Sequence, residues 1–218
     1  MPYKRLLMIF FSLVSYILIS IGIHFGYHLP ETYLGFLFGI ILFVIAIPLH
    51  IFGNKNTLFY AFSILLTSFG VGLILTSYYS TVENQLKLVD YVVAITISIT
   101  TLTIFSFITS FTVIKKYSKI ILIFTIPILF IITLIVWLNS DIFTGLTFYF
   151  FNIIYFHMIC VVTASEDIKD LLREMSLSMF GSFILISIIV IIILSEGEAL
   201  EGIGNSIDIP ISRKKKRK

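Results

Sequence analysis

Charged residues are scarce in this sequence, and the few that occur are clustered. Only 12% of the 218 residues are Asp, Glu, Lys or Arg, against about 25% in soluble globular proteins. Hydrophobic residues make up 58% of the chain. A soluble protein of this size could not hide so much apolar surface, whereas the core of a lipid bilayer is itself apolar. The composition therefore predicts an integral membrane protein.

Cysteine is nearly absent as well, and the N-terminus lacks a signal-peptide cleavage pattern. Because Cys160 is the only cysteine, an intrachain disulfide is impossible and the cysteine count says nothing about redox compartment. Lys4 and Arg5 precede an apolar run that continues to about Phe25, longer than the apolar region of a usual signal peptide. We therefore expect an uncleaved first membrane span.

Seven stretches lack Asp, Glu, Lys and Arg over about 20 residues, the length that crosses about 30 Å of hydrocarbon. Helices are expected rather than barrel strands, because polar and apolar residues do not alternate along these stretches. The sequence predicts an all-α fold, a multi-pass transmembrane helical bundle of seven spans with short loops. It comprises one domain over residues 1–195 and a flexible acidic-then-basic tail over 196–218. The predicted spans are Leu6–Phe25, Tyr33–Phe52, Leu58–Ser80, Tyr91–Ile114, Ile120–Leu138, Phe143–Thr163 and Leu177–Leu194.

The distribution of basic residues indicates the orientation of the spans. Loops rich in Lys and Arg stay in the cytoplasm, which predicts a plasma-membrane protein with a cytoplasmic N-terminus. Seven spans then put the C-terminus outside, together with the basic cluster at its end, although the rule is weak so far from a span. If one segment does not cross, the tail returns to the cytoplasm. The short outer loops hold only Lys87, whereas the inner side holds Lys4, Arg5, Lys55, Lys115, Lys116, Lys119, Lys169 and Arg173.

Small hydroxyl residues are concentrated in predicted spans three and four, at spacings that bring several onto one helix face. One interpretation is a hydroxyl-lined path for a small solute or ion between the two helices. The other is tight helix packing, because small residues let helices approach and hydroxyls can bond across helices or to their own backbone. The residues concerned are Ser63, Thr67, Thr96, Thr100, Thr103 and Ser110.

Glycine forms two small-x-x-x-small patterns in the first two predicted spans. Gly22 and Gly26 lie at the end of span one, and Gly35 and Gly39 lie in span two. Such spacing puts both glycines of a pair on one helix face, where another helix can approach closely. Both pairs are therefore candidate helix contacts.

Histidine supplies the remaining polar candidates within or beside the spans. Asn152 and His157 in span six form a candidate intramembrane polar site. His50 and His157 lie at comparable depths in their predicted spans, so the two could be a pair of axial haem ligands. No other residue supports a haem site. His24 and His28, four positions apart, are either interfacial residues or part of a metal site, and two ligands are too few for a metal. No cofactor or metal is predicted.

Two charged segments lie outside the spans. Residues 165–176 predict a short amphipathic helix capped by Ser165, which lies on the inner membrane surface, docks a partner or extends span seven. The basic cluster at the C-terminus would bind anionic lipid head groups or, outside the cell, an anionic surface polymer; the alternative is a solubilising tail. One flexible cluster does not predict nucleic-acid binding. The cluster consists of Arg213, Lys214, Lys215, Lys216, Arg217 and Lys218.

Several functional classes lack their characteristic residues in this sequence. The predicted spans hold no Asp, Glu, Lys or Arg, on which ion-coupled transporters and proton pumps depend. The chain has no His-Glu-x-x-His, no Gly-x-Ser-x-Gly and no phosphate-binding loop, so the motifs of several enzyme classes are missing. By elimination, we predict a non-enzymatic accessory, assembly or immunity-type subunit that contacts another membrane protein or a second copy of itself. The alternatives are a small-solute channel or uniporter lined by spans three and four, and an intramembrane enzyme centred on His50 and His157.

Overall fold

The computed structural model describes residues 2–80, 86–108 and 167–195, and six single residues at positions 117, 120, 124, 128, 131 and 135. The described chain is all α, as the sequence predicts. Its helices are α1 (Pro2–Gly26), α2 (Thr32–Phe52), α3 (Leu58–Tyr79), α4 (Leu88–Ile108) and α5 (Ile168–Leu194).

Four of the described helices are long and apolar enough to cross a membrane. Their apolar segments are Tyr3–Gly26, Tyr33–Phe52, Leu58–Tyr79 and Ile168–Ile192. The apolar part of α4 is shorter, over Leu88–Ile104. Most of predicted spans five and six lies outside the described residues. The described helices therefore support membrane integration through four spans, and they do not by themselves support a total of seven.

α5 runs without a break through the charged segment that precedes predicted span seven. It begins at Ile168, so this segment extends the span and is not a separate surface helix. Asp167 occupies the cap position, two residues later than predicted, and its carboxylate accepts a hydrogen bond from the Lys169 backbone N–H at 3.1 Å. Leu171 and Met175 are fully buried, because the apolar stripe of this segment packs against the protein.

α3 is the central helix of the described bundle. It contacts α1, α2 and α5, and its residues Ile64, Val71 and Ile74 are fully buried. α2, by contrast, exposes apolar side chains such as Val44, which is 56% exposed. Apolar side chains on all sides of a helix suit burial or contact with lipid. Because α3 is central, its polar residues lie inside the bundle, whereas α2 lies at the outside.

Glycine pairs allow α1 and α2 to approach α3 closely. A Cβ atom built on Gly72 would lie 2.3 Å from the Ile19 carbonyl oxygen and 2.9 Å from the Gly22 Cα atom. A Cβ atom on Gly39 would lie 2.7 Å from the Gly70 carbonyl oxygen. Such approaches require glycine on at least one helix. Both small-x-x-x-small patterns of the sequence thus lie at helix contacts.

Contacts at matching depths give the directions of the helices. One turn beyond the contact of Gly22 with α3, Gly26 meets the Thr76 side chain, so α1 and α3 run parallel. Near the start of α1, the Arg5 guanidinium donates a hydrogen bond to the Ser106 carbonyl oxygen near the end of α4. The last turn of α1 and the first turn of α4 line a common cleft. α4 is therefore antiparallel to α1.

α5 begins beside the loop that joins α2 to α3. The Lys169 ammonium donates a hydrogen bond to the Asn54 carbonyl oxygen at 2.8 Å. Since α3 is parallel to α1, this loop lies at the same end of the bundle as the N-terminus. The last described turn of α4 lies there too, so Ile108 and Asp167 lie at the same end of the bundle.

Candidate functional site

A chain of hydrogen bonds joins α2, α3 and α5 within the bundle. His50 Nδ1 lies 2.9 Å from the Ser176 hydroxyl oxygen. Ser176 donates to the Ser63 hydroxyl oxygen at 3.0 Å, and Ser63 donates to the Ala46 carbonyl oxygen at 3.1 Å. Both serines are fully buried. His50, Ser63 and Ser176 are called the histidine–serine network below.

The Ala46 carbonyl oxygen at the end of this network sets the direction of its hydrogen bonds. A carbonyl oxygen only accepts hydrogen bonds, so Ser63 must donate its proton to Ala46. The Ser63 oxygen then accepts the proton of Ser176, and Ser176 has none left for the histidine. His50 Nδ1 must therefore carry a proton and donate it to Ser176. The other ring nitrogen, Nε2, is the acceptor in the neutral imidazole.

Aromatic rings enclose the histidine of this network. The His50 ring lies edge-on to Tyr60 at a centroid distance of 5.1 Å and tilted against Phe180 at 5.3 Å. The Tyr60 hydroxyl in turn donates to the Asn54 side-chain oxygen at 2.9 Å. Edge-on and tilted ring contacts of this kind are favourable. They hold the imidazole in one orientation beside the α2–α3 loop.

The direction of the hydrogen bonds limits what this network can do chemically. A nucleophilic serine gives its proton to a neighbouring histidine base. Here Ser176 accepts a hydrogen bond from His50 and directs its own proton to Ser63. The arrangement is therefore suited to holding three helices together and not to activating a serine.

The hydroxyl residues predicted on spans three and four are not brought together. Ser63 and Thr67 are fully buried, and Thr67 donates to the Ser63 carbonyl oxygen at 2.8 Å. On α4, the exposed Thr96 and Thr103 donate to carbonyl oxygens of their own helix, at 2.7 and 2.8 Å, and Thr100 is exposed too. The described geometry therefore favours packing on α3 and leaves the hydroxyl face of α4 outward.

The remaining predicted site residues lie outside the described residues. Three predictions therefore remain predictions. They concern the end of the hydroxyl face on span four, the intramembrane polar site on span six and the basic cluster of the tail. The residues are Ser110, Asn152, His157, Arg213, Lys214, Lys215, Lys216, Arg217 and Lys218.

A second group of polar residues lines a cleft of about 790 Å³ between the end of α1 and the start of α4. We call it the α1–α4 cleft. His28 Nδ1 lies 2.9 Å from the His24 carbonyl oxygen, and the two rings meet edge-on at a centroid distance of 4.9 Å. Tyr27 and Tyr91 line the same cleft. Burial raises the pKa of Tyr27 further above its ordinary value, which already lies well above neutral pH, so its hydroxyl can donate a hydrogen bond.

Sequence reasoning found His50, Ser63 and the two cleft histidines, but it missed Ser176 and the cleft tyrosines. Ser176 lies among Leu172, Met175 and Met179 of α5, all buried. The available signal was weak, because Ser178 and Ser182 are buried in the same stripe of α5. The histidine partner of Ser176 is 126 positions away along the chain, so the pattern of one helix could not identify it.

Neither group of polar residues has the three ligands of a metal site among the described residues. Within residues 2–80, 86–108 and 167–195, no three His, Cys, Asp or Glu side chains lie close enough to hold an ion. His24 and His28 therefore remain a pair without a third protein ligand in this part of the chain. No protein-family model, no curated protein and no solved structure matches this chain.

Proposed function

We propose that this chain is a non-enzymatic integral membrane protein of seven spans that acts through contacts between its helices and another membrane protein. The direction of the hydrogen bonds in the histidine–serine network carries the proposal. Ser176 accepts from His50, the reverse of what a serine nucleophile needs. The best-formed polar group in the described bundle thus serves helix packing, as expected of an accessory, assembly or immunity-type subunit.

The outward face of α4 supports the part of the proposal that concerns a partner. Ala94 and Ser98 on the opposite face are fully buried, and α4 packs against α1. Thr96, Thr100 and Thr103 on the outward face are exposed, at the spacing of a small-x-x-x-small contact. Thr96 and Thr103 bond to carbonyls of their own helix, so their hydroxyls need no further partner. The same side of α4 also exposes Ile104 and Phe107, and together they form an outward surface that another membrane helix can contact.

Replacing Thr100 with phenylalanine tests this contact. We expect the amount of co-purified membrane protein to fall about tenfold, because a bulky side chain in a close helix contact typically costs about 1–3 kcal/mol. Thr100→Val keeps the shape and should keep the partner. The measurement is quantitative mass spectrometry of proteins that co-purify with the tagged chain after gentle detergent extraction, at equal expression.

The matched control for this experiment is Ile41→Phe, because Ile41 is 44% exposed on α2 away from the hydroxyl face. The proposal fails if the wild-type chain is extracted alone and monodisperse under conditions that preserve known membrane complexes. It also fails if Thr100→Phe and Ile41→Phe lose the partner equally. Two differently tagged copies distinguish self-association from binding of another protein.

A small-solute channel or uniporter lined by spans three and four is the alternative function. Its support is the number of hydroxyl side chains on these two helices. One observation against it is that the Ser63 and Thr67 hydroxyls donate their hydrogen bonds to backbone carbonyl oxygens within the bundle, so they do not donate to a solute. The hydroxyl groups of α4 lie on its exposed face. The contact function is therefore preferred.

The helix directions support the proposed topology. Ile108 and Asp167 lie at the same end of the bundle. An even number of crossings between these residues satisfies this, and the seven-span arrangement has two. The total is then odd, and the termini lie on opposite sides of the membrane. With the positive-inside rule, the N-terminus is cytoplasmic and the C-terminus lies outside the plasma membrane.

A cysteine inserted after Ser212, in a Cys160→Ser background, tests this topology. We expect a membrane-impermeant maleimide to label it in intact cells, because an odd number of spans puts the tail outside. A cysteine inserted after Met1 is the control, and it should be labelled only after permeabilisation. Labelling of the tail cysteine only after permeabilisation would refute the odd number of spans. An outside tail would bring its basic cluster to anionic surface polymers, and an inside tail would bring it to anionic lipid.

A further inference from the structure

We infer that the α1–α4 cleft binds a membrane amphiphile, with its head group at the two tyrosines and one hydrocarbon chain along the apolar wall. This inference depends on membrane integration but not on the proposed contact with another protein. Clefts of about 300–1,000 Å³ are typical of small-molecule sites, and this one measures about 790 Å³. Its two ends differ in chemistry in a way that matches an amphiphile.

At the polar end of the cleft the hydroxyls of Tyr27 and Tyr91 lie beside each other, and that of Tyr27 also lies beside the Leu86 backbone. Tyr91 is only 7% exposed, and within the described part of the chain the hydroxyls of Tyr91 and Tyr27 have no hydrogen-bond partner of ordinary geometry. A buried donor without an acceptor is unfavourable. Ser20 also lines the cleft, but its hydroxyl already bonds to the Tyr16 carbonyl oxygen at 2.8 Å. An acceptor oxygen beside the two tyrosines would therefore give their hydroxyls a hydrogen bond of better geometry than the ones they have within the described chain.

The mouth of the cleft carries two exposed imidazoles. His28 Nδ1 faces the His24 carbonyl oxygen, so Nδ1 donates there and the other ring nitrogen remains available. Among the described residues, those that line the cleft include no Asp or Glu, and the carboxylate of the neighbouring Asp90 accepts a hydrogen bond from the Lys87 backbone N–H at 2.7 Å. A carboxylate, phosphate or ester oxygen meets these requirements.

The other end of the cleft is hydrocarbon. Ile17 and Ile21 of α1 and Val92 and Ile95 of α4 line it. The cleft lies where α1 ends, at one membrane surface, and tyrosine is typical of that depth. Along the helices, the polar groups come at the membrane surface and the apolar groups deeper in the bilayer. An amphiphile within a leaflet has its head group and chain in the same order.

The experiment uses the full chain in phosphatidylcholine vesicles with a diazirine-bearing palmitic acid as the probe. We expect saturable cross-links to the peptides that contain Ile21 and Val92, mapped by mass spectrometry. Excess palmitate should compete, and acetate should not. Ile21→Trp fills the apolar end and should lower the cross-link yield about fivefold or more. Ile41→Trp is the matched control, because Ile41 is 44% exposed and Ile21 is 50% exposed.

A second variant tests the head-group end without filling the cleft. Tyr91→Phe keeps the ring and removes only the hydroxyl, so it should weaken probe binding about fivefold while the chain stays monodisperse. Cross-links that do not saturate and are spread equally over the exposed face of α2 would overturn the inference, since they indicate bulk lipid. Equal competition by acetate would overturn it too, because the site would then bind a free anion.

Discussion

Replacing Gly72 with alanine should destabilise the protein by about 2–3 kcal/mol, the upper part of the range for overpacked sites. The added Cβ would lie 2.3 Å from the Ile19 carbonyl oxygen and 2.9 Å from the Gly22 Cα atom. These are backbone atoms and cannot rotate away, so α1 and α3 must separate. Separation also weakens the bond from the Thr76 hydroxyl to the Ile23 carbonyl oxygen, now 3.1 Å long.

The same substitution at Gly181 is the matched control. No heavy atom lies within 4 Å of a Cβ built on Gly181 in α5, and alanine is preferred to glycine within a helix by about 0.5–1 kcal/mol. We therefore expect Gly181→Ala to leave stability unchanged or slightly higher. The midpoint of thermal unfolding in detergent, followed by loss of the monodisperse species, measures both variants. Equal midpoints for Gly72→Ala and wild type would contradict the close approach of α1 and α3.

Replacing Ser176 with alanine should lower the free energy of unfolding by about 1–2 kcal/mol. The change removes the bridge between α5 and the other two helices, and it leaves His50 Nδ1–H without its acceptor. Hydrogen bonds between membrane helices are typically worth about 0.6 and at most about 1.7 kcal/mol, and the unpaired donor adds to that loss. Detergent-induced unfolding measures the difference.

A double-mutant cycle separates this bond from general damage to the helix. His50→Ala and Ser176→Ala should be non-additive by about 0.5–1.5 kcal/mol, because the two side chains share one hydrogen bond. Ser187→Ala is the control on the same helix, since its hydroxyl bonds to the carbonyl oxygen of Phe183 in α5 itself, at 2.7 Å. It should change stability by less than about 0.5 kcal/mol. Additive effects of the two network mutations would mean that the bond is absent in solution.

The described helices agree well with the sequence, whereas their ends agree less well. Predicted spans two and three match α2 and α3 almost residue for residue, because a bilayer requires apolar helices of a set length. Predicted span seven begins at Leu177, nine residues after α5 begins at Ile168, and the residues between them form the helical extension that the sequence left open beside a separate surface helix. Charged residues mark where a helix leaves lipid, but they do not end it when Asp167 caps it further out.

The sequence by itself determined the class of protein, the places of most described spans and the glycines at which helices approach. It did not determine which helix each face meets. Gly22 was recognisable as a contact residue, but its position against Gly72 came only from the tertiary structure. The hydrogen bond between His50 and Ser176 likewise came only from the tertiary structure. The physical reason is that lipid is as apolar as the helices, so no hydrophobic force selects a buried face. Shape and hydrogen bonding select the partner, and both depend on where residues far apart in the chain come to lie.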